Sequence, residues 1–120
     1  MKDSARDSTK FIKRFRGDSR SIEITVFDSE GNAVDVAAYT GATLTVNSLL
    51  NPPDISTQLF EATGDTVTDG INGVITFPIT TTDTDQTPGN YFYDIELTDA
   101  DGEVDTIIKS KFVIKQDISK

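Results

Sequence analysis

Tyr91-Phe92-Tyr93-Asp94-Ile95-Glu96-Leu97-Thr98 decides the fold. Tyr91, Tyr93, Ile95 and Leu97 fall on one face and Phe92, Asp94 and Glu96 on the other, the two-residue period of a half-buried strand. Pro88-Gly89-Asn90 opens this strand, and Asp99-Ala100-Asp101-Gly102 closes it with residues suited to a tight hairpin turn. The chain then returns through Glu103–Lys115, a long strand with Val104, Ile108, Phe112 and Ile114 in phase.

The same period recurs towards the N-terminus. Val74–Ile79 alternates with Ile75, Phe77 and Ile79 on one face, behind the Asn72-Gly73 turn signal. Gln58–Ala62 reads as a short strand, Ala42–Asn47 as a strand with Leu44 and Val46 inward, and Ala33–Val36 as a short return. Ser21–Phe27 alternates cleanly, with Ile22, Ile24 and Val26 inward. Lys10–Arg16 alternates loosely, with Phe11, Lys13 and Phe15 on one side, until Arg16-Gly17-Asp18-Ser19 breaks it. Its first three residues, Arg16-Gly17-Asp18, match a cell-adhesion signal but read as a strand break. Leu49–Thr57 is a loop because Pro52 and Pro53 have no N–H to give to a ladder; its two leucines either cover one end of the core or meet a neighbour. Asp83–Gln86 has room for one helical turn. The sum is an all-β chain of about seven or eight short strands, the spacing of an antiparallel β-sandwich, with a barrel as the competing arrangement.

Composition narrows the function. The 120 residues include no Cys, His or Trp. Disulfides, Cys/His metal sites and imidazole-based nucleophilic catalysis are therefore excluded. No apolar run approaches the ~20 residues of a membrane-spanning helix. The first residues are polar, so no secretory leader is expected.

Charge is uneven. The formal net charge is −9. Lys2, Arg6, Lys10, Lys13, Arg14, Arg16 and Arg20 crowd the first twenty residues, whereas Ser21 to Ile108 contains no Lys or Arg. The acidic remainder argues against nucleic acid as a partner. A basic segment ahead of an acidic body favours ordered association with an acidic surface. The expected organisation is a basic arm at 1–9, a sandwich at 10–116 and a tail at 117–120, with the chain ends at opposite poles. Lys10, Lys13, Arg14, Arg16 and Arg20 are the expected partner-binding residues.

Asp94 and Glu96 share a face at a spacing compatible with paired-carboxylate chemistry, but read as a solvated outer surface. The acid pairs Asp65/Asp69, Asp83/Asp85 and Asp99/Asp101 read as turn builders. They do not form a complete calcium loop. No catalytic residue, cofactor or metal site is expected.

Several stretches together resemble one family. They are Arg16-Gly17-Asp18, Val26-Phe27-Asp28-Ser29-Glu30-Gly31-Asn32-Ala33-Val34-Asp35-Val36, Tyr39-Thr40-Gly41-Ala42-Thr43-Leu44-Thr45-Val46, Asp69-Gly70-Ile71-Asn72-Gly73-Val74-Ile75-Thr76-Phe77 and the run from Thr87 to Gly102. In this order, over about residues 15–115, the chain resembles the immunoglobulin-like domain of tailed-bacteriophage upper baseplate proteins and related phage virion proteins. The resemblance implies an immunoglobulin-like antiparallel β-sandwich with an N-terminal arm, in which Tyr91 or Tyr93 ties its hydroxyl to backbone across a corner. It also implies a non-enzymatic structural adaptor of the tail or baseplate, made in the host cytoplasm and carried in the virion. Its partners would be other phage structural proteins and further copies of itself, with no membrane. Multi-domain family members continue past this module, so ending at Lys120 carries no expectation of a fibre-holding extension. Two other functions fit a small sandwich: a decoration or cement protein on the capsid surface, and a carbohydrate-binding or adhesion module.

Overall fold

The computed structural model describes residues 11–28, 30–50, 52 and 54–116. The expected arm at 1–9, Lys10 and the tail at 117–120 lie outside the described residues. The strands are β1 (Ile12–Phe15), β2 (Ile22–Thr25), β3 (Gly41–Asn47), β4 (Gln58–Thr63), β5 (Val74–Phe77), β6 (Gly89–Thr98) and β7 (Val104–Lys115). One short helical turn, α1 (Thr81–Thr84), precedes β6. It starts earlier than Asp83–Gln86 because Thr80 and Asp83 cap each other's backbone N–H groups.

The strands form two layers. One sheet has the order β1-β7-β6-β3-β4, and the other pairs β2 with β5. The pairing of β2 with β5 opposite a sheet containing β3, β6 and β7 is the connectivity of an immunoglobulin-like β-sandwich. Tyr91, at the corner that opens β6, donates its hydroxyl to the carbonyl of Thr87, the corner contact expected of such a fold. Between the layers, Ile22, Ile24, Ile75 and Phe77 meet Leu44, Val46, Tyr93, Ile95, Leu97, Ile108, Phe112 and Ile114 in one buried core.

Three expectations need correction. First, the sandwich is not wholly antiparallel: β1 runs parallel to β7, with Ile12 opposite Phe112 and Phe15 opposite Lys115. The described chain ends therefore lie on neighbouring strands rather than at opposite poles. Second, Ala33–Val36 makes no strand. It contributes one bridge, Phe27 to Ala33, because Asp28 Oδ1 accepts from the N–H groups of Glu30 and Asn32 and curls the chain there. Third, Val104 is exposed while Ile107 and Ile108 are both buried. The register between β6 and β7 slips between Ile95 and Glu96, so Ile95 faces Ile108 and Glu96 faces Thr106. This bulge leaves Ile107 as an extra residue and reverses which face the earlier half of β7 presents.

Gly73 fixes one end of the sandwich. Its φ is +81°, and a Cβ there would sit 2.8 Å from the Val34 carbonyl oxygen and 3.0 Å from that of Val26. Only glycine takes both this left-handed conformation and this close backbone approach without strain.

Candidate functional site

All the described lysines and arginines lie on β1, on β7 or in the turn from β1 to β2. The cause is the parallel pairing of β1 with β7. It lays Lys13 beside Val113 and Phe15 beside Lys115, so two basic stretches far apart in sequence become one edge. Ile12 turns into the core. Phe11, Lys13 and Phe15 share the solvent face, with Phe11 56% and Phe15 54% exposed. Lys111 stands 5.6 Å above the Phe11 ring, within cation–π range.

Beyond β1 the chain is held as a tight turn. Gly17 takes φ +82°, Asp18 N–H donates to the Phe15 carbonyl at 2.9 Å, and Arg20 N–H donates to Asp18 Oδ1 at 3.1 Å. Thr84 of α1 donates its hydroxyl to the Asp18 carbonyl at 2.8 Å. Arg16 Nε pairs with Asp85 at 2.9 Å. Arg16-Gly17-Asp18 is thus a braced strand break.

Of the expected partner-binding residues, Lys13 and Arg20 are exposed, Arg16 is half-exposed and tied to Asp85, and Lys10 lies outside the described residues. Arg14 differs from the rest. It is half-buried on the same face of β1 as Ile12, and donates to the carbonyls of Lys13 (2.9 Å) and Ser21 (3.2 Å). Its Nε is buried without a partner. Burial lowers its pKa, Arg20 adds to this, and Asp18 opposes it. Sequence reasoning missed Phe11, Phe15, Lys111 and Lys115 as members of this edge. Lys109 and Lys111 share the exposed face of β7 two residues apart, a spacing that carries no sign of β1 beside it.

The opposite pole is acidic. It is formed by the connections after β2, after β4 and between β6 and β7. It carries Asp28, Glu30 and Asp35, then Asp65 and Asp69, then Asp99, Asp101 and Glu103 with Asp105 at the start of β7, and no described cation. Many of these acids build turns, as expected. Asp65 Oδ1 accepts from Val67 and Thr68 N–H, and its Oδ2 from the Thr68 hydroxyl at 2.6 Å. Asp99 Oδ1 accepts from Asp101 and Glu103 N–H, both at 2.9 Å. Val67, Ile71 and Val104 stand exposed among them.

Asp94 and Glu96 lie on the outer face of β6. Burial, then Glu96, push the Asp94 carboxyl above the usual carboxylate range; Lys109 opposes this and Glu61 adds to it. The adjoining cleft, lined by Leu49, Leu50, Pro52, Phe92 and Lys109 among others, has a volume of about 40 Å³. Ligand pockets typically run to several hundred Å³. The two leucines, 45% and 44% exposed, line this cleft on the outside of the sheet. Among the described residues, no group of three or more Asp or Glu is arranged to hold a metal ion, and no helix is long and apolar enough to cross a membrane.

No family model matches the chain, and no curated protein matches it. Among solved structures it is similar to the crystal structure of CopC from Methylosinus trichosporium OB3b. The identity is 13%, over 95% of this chain and 90% of that one, and the TM-score is 0.49. The fold assignment rests on this chain's own strand order and register.

Proposed function

We propose that this chain is a structural adaptor of a tailed-phage virion, placed in the tail or baseplate and working through protein–protein contacts rather than catalysis. The observation that carries the reading is the gathering of the described cations, with two exposed phenylalanines, onto the β1–β7 edge of an otherwise acidic body. A surface that combines exposed aromatic rings with one sign of charge suits a protein partner of opposite charge. The resemblance of the ordered stretches to phage virion domains supplies the setting.

Lys13, Arg16 and Arg20, joined by Lys111 and Lys115, make the contact. Mass spectrometry of separated heads and tails tests the setting. Recovery with tails supports it, recovery with heads transfers the chain to capsid decoration, and absence from both overturns it. In particles grown with K13Q/R20Q/K115Q, incorporation should fall, most at low salt where exposed charges are least screened. Unchanged incorporation across salt overturns the assigned contact.

A further inference from the structure

We infer that the partner of the basic edge is a second copy of this chain, docked head to tail, with the β1–β7 edge of one copy on the acidic pole of the next. The inference rests on the adaptor reading above and names its partner.

Three observations carry it. The first is distance. The molecule is 41 Å along its longest axis, and β7 alone, at about 3.3 Å per residue, runs most of that length. β1 pairs only with the last part of β7, from Phe112 to Lys115, whereas the acidic loops lie beyond its start. The two charged surfaces are thus several times farther apart than the ~8 Å Debye length of physiological salt. They do not neutralise each other within one molecule, so each field acts on an incoming body.

The second is complementarity of charge. The acidic pole contains no described cation, and Lys13 and Lys115 of the edge make no ion pair among the described residues. The third is apolar matching. Phe11 and Phe15 project beside the lysines, while Val67 (76% exposed) and Ile71 (69% exposed) project among the acids. Each surface therefore combines exposed apolar side chains with charge of one sign. Since the two surfaces differ, the contact is heterologous. Repetition of such a contact closes into a ring or continues as a filament.

Two complementary variants of the full chain test this. K13Q/K111Q/K115Q removes the charge of the edge and leaves the acidic pole intact. D101N/E103Q removes charge from the pole, using carboxylates that are not the Asp99 turn acceptor. Sedimentation velocity of the parent chain at low salt should show association that weakens about tenfold or more in 0.5 M salt. Each variant alone should be monomeric, and their equimolar mixture should form dimers and nothing larger, because only one productive contact remains. Where a variant is unfolded by circular dichroism, the Ala versions of the same sites replace it.

A parent chain that stays monomeric at low salt and millimolar concentration overturns the inference. A mixture that stays monomeric, or that grows past dimers, also overturns it. If the parent is monomeric while edge variants still fail to enter tails, the second-copy partner falls and the adaptor reading stands. Self-association of a chain that is absent from particles gives the reverse.

Discussion

At the β6–β7 turn, Asp99 holds the backbone by accepting from two N–H groups, and after β4, Asp65 holds it by accepting from two N–H groups and a hydroxyl. At the other end of the sandwich, Lys13 and Lys115 are exposed and make no ion pair among the described residues, and Arg16 is held by one to Asp85. The acidic pole therefore owes much of its charge to turn construction. Among the described residues the charges of Lys13 and Lys115 serve no ion pair, whereas Arg14 and Arg16 are tied into the domain. Charge that folding does not require is available for binding, whereas turn aspartates would be retained by any stable sandwich of this type.

The largest break in this comparison comes from the core beneath the edge. Phe112 is fully buried, faces Ile12 across the parallel pair and meets the Phe60 ring edge-on at 5.8 Å. Phe112→Ala should cost about 3–5 kcal/mol in a urea titration. Hydrogen exchange should rise first in β1, which has only β7 as its hydrogen-bonding neighbour.

Next comes the frame of the acidic pole. Gly73→Ala forces a Cβ into a left-handed position against two carbonyl oxygens and should cost about 2–3 kcal/mol. The smaller paired test is more pointed. Asp99→Ala removes two backbone acceptor contacts and should cost about 1 kcal/mol, whereas Lys115→Gln should leave stability within about 0.5 kcal/mol. Equal losses would break the distinction between structural acids and dispensable cations.

Acid pH sharpens the same contrast. Hydrogen bonds from Thr68 and Val67 hold the Asp65 carboxyl below its ordinary value of 3.8, and those from Ser56 do the same for Asp54. Their folded values lie below their unfolded ones. Their contribution is thus complete above pH 3.8 and is lost as pH falls through the depressed folded values. Asp94 has the opposite sign: its raised folded value costs stability at neutral pH, and the cost disappears as pH falls below the unfolded 3.8. Asp94→Asn should therefore stabilise the domain at pH 7, by about 0.5 kcal/mol given its partial exposure, with no gain in melts at pH 3. A loss at pH 7 would mean that the Lys109 contact outweighs burial and Glu96.

Much of the sandwich was legible in the chain. The inward faces of β2, β3, β5 and β6 follow from alternation, because a strand with one buried face must repeat every two residues. The turn at Asp99–Gly102 follows from Asp and Gly, whose carboxylate acceptor and freedom at positive φ act within a few residues. The site was only partly legible. Lys13, Arg16 and Arg20 stood out by charge, but Arg14 could not be separated from them until its contacts with Ser21 and its neighbour Arg20 were placed. Leu49 and Leu50 offered no local sign that they would settle on the outside of the sheet.

What the sequence determined alone was the set of strands, the turns and the separation of basic from acidic stretches along the chain, all properties that act between near neighbours. The tertiary structure decided the rest: the bulge that buries Ile107 beside Ile108, and the parallel docking of β1 that brings Phe11, Lys13 and Phe15 against the lysines of β7. Both depend on pairing between strands, and in the case of β1 on residues a hundred positions apart. No local period carries that information.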